Sequence, residues 1–421
     1  MYQPETAEYK HHVATYGPVD QFGYKDFIPM FTAEKFDALE WADLFQKAGA
    51  RYIGPVAEHS DGFSMWDSKV NPWNAARMGP KRDLVGEMEK AARQKGLKFI
   101  ATFHHQWLWG WYASPVAKAD VFDPRYAGLY GTALNPEAFN LKDYLNPKPK
   151  TDTAFCDQWR DKVAEVVDRY HPDLIYFDSR AAIIDEGHRL EMLAHFYNQA
   201  EARGQEVVMT YKNDDFHPGT GVIDLECGRM TETKSFTWQT DDKIEWNSWA
   251  YHKHPDYKPA SRLVHQLVDI VSKNGNLMLD VGPRPDGTIP EPVHERLLQI
   301  GAWLKVNGEA IYSTRPFTVF GEGPTQVQGG HFGEAKLKEF TPEDIRFTTH
   351  GKDLFAIALG WPADGTLLVK TLSSGKMKIN RVEMLGSTDA LKWTQTDQGL
   401  SIEFPPTKPC DFAWALRITR Q

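Results

Sequence analysis

DLIYFDS, residues 173–179, sets four uninterrupted apolar residues, Leu174–Phe177, between two aspartates, which is how a strand covered on both faces of a parallel sheet reads. A helical pattern precedes it at Ala154–Tyr170 and another follows at His188–Arg203, so the stretch sits inside a β-α unit. The same alternation extends outward from about residue 34 to residue 305. Further helices are expected at Glu34–Ala48, Arg82–Lys95, Ser261–Lys273 and Pro292–Val306, and further strands at Tyr52–Ala57, Lys98–Phe103, Val207–Tyr211, Val222–Leu225 and Leu277–Val281. These make six of the eight strands of a (β/α)8-like (TIM) barrel. A seventh is expected near Trp246–Tyr251, and no regular first strand is visible before Phe31. After Tyr312 the pattern changes to short alternating or apolar runs between Gly, Pro and Asp turns: IRFTTHG, LFAIALGW, TLLVKTL, VEMLG, LSIEFP and FAWALRIT. The expected architecture is a barrel over residues 1–312 followed by an antiparallel β-sandwich over 313–421, entered through the loop-rich segment GEGPTQVQGGHFGEAK.

A chain of 421 residues exceeds what one core usually organises, in keeping with two domains. The net charge of -9 comes with no basic block, which argues against nucleic acid or an anionic membrane as partner and favours a neutral ligand. Three cysteines with no CxxC spacing, Cys156, Cys227 and Cys410, indicate neither a disulfide framework nor a cysteine zinc site. No apolar run reaches membrane-spanning length, and MYQPETAEYK lacks the basic and apolar regions of a signal peptide. The expectation is a soluble protein, periplasmic or secreted if a signal has been removed and cytoplasmic otherwise.

Barrel enzymes carry their reacting groups at the C-terminal ends of the strands. That rule selects Glu58 and His59 after YIGPVA, His104 and His105 after KFIATF, Asp178 after LIYF, Lys212 after VVMTY and Glu226 after VIDL. Each has an ordinary alternative: a helix N-cap for Asp178, an ion pair with Arg229 for Glu226, a satisfied core-edge position for the histidines. Convergence on one face favours chemistry. Two carboxylates from separate strands can divide the work of breaking a glycosidic bond, one attacking the anomeric carbon and one protonating the leaving oxygen. Asp178 and Glu226 are the expected pair, with Glu58 in reserve as the acid. The segment QWLWGWY adds Trp107, Trp109, Trp111 and Tyr112 to a loop at the same face, more ring surface than packing a loop needs and well suited to the apolar face of a sugar. Trp66 and Asp67, in DGFSMWDS, are further candidates.

FGYKDFIPMF, AEKFDALEWADLFQKAGARY, PVAEHSDGFSMWDS, GPKRDLVGEM, DLIYFDS and LVDIVSKNGNLMLDVGPRPDGTIPE, continued by GAWLKVNGEAIYSTRPF, together resemble the α-L-fucosidases of glycoside hydrolase family 29 over nearly the whole chain. The resemblance implies a barrel with a trailing sandwich, no cofactor and no metal. It implies a retaining, exo-acting removal of α-linked L-fucose from oligosaccharides or glycoconjugates. It places Asp178 at the nucleophile and His59 and His104 among the groups that hold fucose hydroxyls, with Trp66 near the ring; Glu58, Asp67, His105, Trp109 and Arg229 complete the expected substrate contacts. Members of the family supply the acid/base from different places. Where many carry a Trp-Glu-Thr-like motif this chain has FTWQTDD, so Gln239 cannot serve, and Glu226 in DLECGR resembles the alternative position. The same variant, with the loop rings, looks like the branch that acts on α-1,3/1,4-linked fucose. Two further departures stand out. The first-strand motif whose His binds substrate is missing, leaving His11 or His12 as stand-ins, and Asp280 occupies a position where Asn is commoner, so its carboxylate needs a donor.

Two rival functions follow from other features. A lectin-like, catalytically weakened member of the same fold is compatible with the missing first strand. A metal-dependent barrel hydrolase would use His252–His254 or the His104-His105 pair, although no acidic ligand set accompanies either.

Overall fold

A computed structural model describes residues 2–131, 151–334, 337–375 and 377–421. Two compact units emerge, one of Met1–Asp43, Ala50–Val222 and Arg284–Thr288, the other of Leu44–Gly49, Ile223–Pro283 and Ile289–Gln421.

The first unit begins with helix α1 (Ala7–Tyr16) and a 3-10 segment at Tyr24–Met30; among the described residues no strand precedes Tyr52. Helix α2 is Ala38–Lys47. The expected strand Tyr52–Ala57 is present in two pieces, β1 (Tyr52–Ile53) and β2 (Val56–Glu58), which pair in parallel with the lower and upper parts of β3 (Lys98–Phe103). Gly54 lies at the break, where a Cβ would sit 1.8 Å from the Ile100 carbonyl oxygen, so only glycine allows the approach. Strands β4 (Leu174–Phe177) and β5 (Val208–Lys212) extend the sheet in parallel. Helix α3 (Leu84–Gln94), the single turn α4 (Ala127–Tyr130) and helices α5 (Thr153–Tyr170) and α6 (Glu186–Ala202) lie between these strands in sequence. Three of the four are capped as their sequences imply: Asp83, Asp152 and Asp185 each accept a first-turn backbone N–H, from Gly86, Phe155 and Gly187.

The second unit carries parallel strands β6 (Val222–Asp224), β7 (Trp238–Lys243) and β8 (Gly275–Asp280), with α7 (Ala260–Ser272) between β7 and β8 and α8 (Glu291–Asn307) after them. The strand expected at Trp246–Tyr251 is a series of bends, and WQTDDK takes its place. Partners from elsewhere in the chain let this polar stretch be a buried strand: the Asp242 carboxylate accepts from Lys258 Nζ at 2.5 Å and Gln266 Nε2 at 2.7 Å, so its charge is met. Beyond α8 come two antiparallel sheets. One has the order β13-β16-β11-β10-β9 and the other β12-β15-β14, using β9 (Arg315–Glu322), β10 (Ile345–His350), β11 (Asp353–Ala358), β12 (Thr366–Val369), β13 (Ile379–Met384), β14 (Trp393–Thr396), β15 (Gly399–Glu403) and β16 (Trp414–Arg420). Phe347, Leu354, Leu416 and Ile418 from the first sheet share one buried core with Leu367, Val369, Leu400 and Ile402 from the second, which makes the pair a sandwich. Strands β9 and β14 are additions to the expected set. No described helix is long and apolar enough to cross a membrane.

Candidate active site

In the first unit the strand ends are locked level by their backbones: His104 N–H donates to Glu58 O at 2.9 Å, and Asp178 N–H to Phe103 O at 3.1 Å. Alternation along β4 then decides what faces where. Phe177 packs on Phe103 and Trp159, while Tyr176 turns the other way, its ring 5.5 Å from His104. Beyond Tyr176 the Asp178 carboxylate receives Lys212 Nζ on Oδ1 at 3.0 Å; its side chain is 19% exposed, that of Lys212 2%. The Asp178 backbone is fixed from outside the sheet, because Gln106 Nε2 donates to the carbonyls of Asp178 at 2.7 Å and Ser179 at 3.1 Å. Burial pushes the Asp178 carboxyl up, but the Lys212 ammonium, and after it His104, outweigh burial and hold it below the usual carboxylate range. It is therefore an anion at neutral pH whose side chain is part-exposed.

His59 is exposed and stacks on His104, with ring centroids 4.5 Å apart. Burial, reinforced by His59, pushes the His104 imidazole down to about 3, so it is neutral, and its buried Nδ1 has no hydrogen-bond partner among the described residues. A neutral imidazole with an unmet ring nitrogen beside an anionic carboxylate suits a hydroxyl-bearing ligand. Trp111, 43% exposed, stands edge-on to His59 at 6.5 Å. Trp107 lies under the Arg180 guanidinium at 4.9 Å, and Arg180, held at φ 80, donates to the Trp109 carbonyl at 3.2 Å.

Five expected contacts are turned to other tasks. The Glu58 carboxylate is wholly buried and paired with Lys162 Nζ at 2.5 Å, with the Ser64 hydroxyl on its other oxygen; burial raises it, but Lys162 and then His105 bring it below its ordinary value, the opposite of what a proton donor needs. Trp66 is fully buried and donates Nε1 to Glu165 Oε2 at 2.8 Å, because its loop folds back through Met65 N–H to Ala57 O. His105 faces the opposite side from His104, its Nε2 3.1 Å from Trp159 O and its ring stacked on that indole; burial pushes it down to about 4. The Trp109 ring is buried against Phe155. Asp67 pairs with Lys69 at 2.8 Å and Arg169 at 3.7 Å. Of the two N-terminal histidines, His11 is exposed, and His12 is a satisfied core residue, with Nε2 2.8 Å from Phe22 O among the rings of Tyr16, Phe22 and Phe27.

In the second unit the pairing of β6 with β7 continues past Asp224 through Leu225 N–H to Gln239 O and Cys227 N–H to Asp241 O. Half-buried Glu226 lies between, and a segment from the entry to the sandwich lies along it: Glu226 N–H donates to His331 Nδ1 at 3.0 Å, Phe332 N–H to Glu226 O at 2.8 Å, Glu334 N–H to Cys227 O at 3.0 Å. Arg229 is buried and pairs with Asp269 at 3.0 Å and with Glu334. Gln239 donates to Asp224 at 2.8 Å. His252, from the possible metal motif, bonds to Glu245. Asp280 is pushed up to about 7 by burial and by its neighbour Asp241, with Lys243 opposing.

Lys212 carried a visible signal, an ionisable residue directly after an apolar strand. Gln106 and His331 carried none, since each reaches its partner from a loop, His331 across 105 residues of chain.

The α-L-fucosidase family model matches residues 1–309 and the α-L-fucosidase C-terminal domain model residues 338–419. The rat tissue α-L-fucosidase is 32% identical over 412 residues, 95% of this chain and 79% of that protein; the human plasma α-L-fucosidase is 32% identical over 418 residues, 94% and 79%. The crystal structure of Thermotoga maritima α-fucosidase in complex with fucose superposes with a TM-score of 0.77 at 28% identity, covering 99% of this chain and 86% of that one. With barrel strands, C-terminal sheets and nearly the whole sequence accounted for in this way, the chain belongs to the α-L-fucosidases of glycoside hydrolase family 29 and is a glycoside hydrolase with α-L-fucosidase activity.

Proposed function

We propose that the reaction is a retaining double displacement in which Asp178 is the nucleophile and Glu226 the acid/base, and that the substrate is a terminal α-1,3- or α-1,4-linked fucose of a branched glycan. The observation that carries this reading is the Asp178 carboxylate, held ionised by Lys212 and still part-exposed. In the first step a carboxylate oxygen of Asp178 bonds to the anomeric carbon while the glycosidic bond breaks and the Glu226 carboxyl gives its proton to the departing oxygen. In the second, the Glu226 carboxylate takes a proton from water, the water oxygen bonds to the anomeric carbon, and the ester to Asp178 breaks, restoring both groups. His104, neutral, and the exposed His59 serve the fucose hydroxyls.

Linkage preference is supported by the ring-rich loop, of which Trp111 alone combines wide exposure with contact to His59. An indole there suits the C–H face of a second sugar. The test is to assay wild type, Asp178→Ala and Glu226→Ala on an aryl α-L-fucoside and on a Lewis-type oligosaccharide, following the first-formed anomer by NMR. Expected are α-L-fucose as first product, at least about a thousandfold loss in Asp178→Ala, azide rescue of Glu226→Ala, and a preference for the oligosaccharide that Trp111→Ala abolishes. First release of the β-anomer, or unchanged turnover in Asp178→Ala, ends the reading.

A further inference from the structure

Of the five strand ends that deliver ionisable groups, only Lys212 had no expected role. Its side chain is almost entirely covered, yet its ammonium lies against a carboxylate that is not. Nζ stands 3.0 Å from Asp178 Oδ1 and 5.6 Å from the centre of the Tyr176 ring. Strands β4 and β5 are in register at Tyr176 and Thr210, so the residues two further on, Asp178 and Lys212, emerge side by side. The groups that act on Asp178 are Lys212 from β5 and His104 from the end of β3, and of these only Lys212 carries a charge at neutral pH.

We propose that Lys212 is a positioning residue for the nucleophile: it holds Oδ1 of Asp178 and so presents Oδ2 to the anomeric carbon. An aspartate keeps two side-chain torsions once its backbone is fixed, and Gln106 and the Phe103 carbonyl fix the backbone. By holding Oδ1 at 3.0 Å the ammonium restrains both. It also remains beside Oδ1 while the other oxygen is esterified, and it stabilises the carboxylate that must leave in the second step. Lys212 touches Asp178 and is itself covered from solvent.

This rests on Asp178 being the nucleophile. The test compares wild type, Lys212→Met, Lys212→Gln, Lys212→Arg and Asp178→Ala, with kcat and KM on an aryl α-L-fucoside followed across pH and melting curves recorded for each. Loss of the charge in the Met and Gln variants is expected to move the acidic limb of the pH profile up by about one unit and to lower kcat about 10- to 100-fold with KM nearly constant; Arg is expected to keep the limb and most of kcat. A merely structural lysine would lower stability and leave the limb in place. If Asp178→Ala is inactive but Met and Gln keep the wild-type limb and kcat, the positioning role alone is refuted. If Asp178→Ala turns over normally, the nucleophile assignment fails first. Should Met not fold, the polar, uncharged Gln variant decides.

Discussion

Asp178 and Asp280 are carboxyls taken out of water and driven in opposite directions, because one has an ammonium at 3.0 Å and the other has Asp241 as its strongest charged neighbour. The consequences for pH are opposite. A carboxyl held low in the folded protein loses its function only as pH falls through that low value, so Asp178 stays ionised across the ordinary assay range. A carboxyl raised to about 7 keeps its proton where the unfolded chain, at about 4, has lost it, so its contribution to stability declines as pH rises from about 4 through about 7. Asp280→Asn is therefore expected to gain on the order of 1 kcal/mol at pH 8 and to flatten the fall in melting temperature between pH 5 and 8; an unchanged slope would show that the group does not titrate there. Lys162→Met should cost about 3–5 kcal/mol by leaving the Glu58 anion buried without its cation, measured by denaturant unfolding. At this scale the sequence disclosed which residues end strands but not which way they point. His104 and His105 are adjacent and identical in type, and one backbone step sends the first to the neighbourhood of Asp178 and the second to Trp159. The pairing of Glu58 and Trp66 was hidden for a related reason: their partners Lys162 and Glu165 come from a helix about a hundred residues on.

Among elements, the apolar strands were legible and the polar one was not. WQTDDK becomes β7 because α7 and its approach supply Gln266 and Lys258 to Asp242, and no pattern within six residues announces partners that arrive later in the chain. Strand β9 was hidden differently: half-exposed residues at a domain entry resemble a linker. Helix α1, which lies before Tyr52 where the described residues hold no strand, was not foreseen. The segment bearing Glu226 depends on a close backbone approach, since a Cβ on Gly228 would lie 2.1 Å from the Gly330 carbonyl oxygen. Gly228→Ala should push residues 330–334 away from Glu226 and cost about 1–3 kcal/mol. A fall in kcat is expected alongside, and wild-type kinetics would mean that the ladder does not set the position of Glu226.

For the molecule as a whole, one compact unit contains β6–β8 and both C-terminal sheets. Its interior is knit by Asp269 of α7, which receives Arg229 at 3.0 Å, Lys273 at 2.7 Å and Arg346 of β10 at 2.6 Å, and by Trp303 Nε1, which donates to Ala413 O at 2.7 Å. Cutting the chain after Tyr312 would remove Arg346, Glu334 and the Ala413 carbonyl while leaving their partners buried. A 1–312 fragment is accordingly expected to be insoluble or to lack a cooperative melt, and a soluble, sharply melting fragment would contradict this. The change of pattern near residue 312 marks a change of architecture, which is a different thing from a boundary between cores. The three free thiols carry one more consequence. Cys227 follows Glu226 in the chain, is buried, and is pushed up to about 12 by burial and by Asp242, so an alkylating reagent meets a protonated, covered sulfur. Cys410 is only partly covered. Labelling should reach Cys410 first and Cys227 only when its strand peels open, which makes the Cys227 labelling rate a clock, written into the sequence, for how often the Glu226 segment breathes.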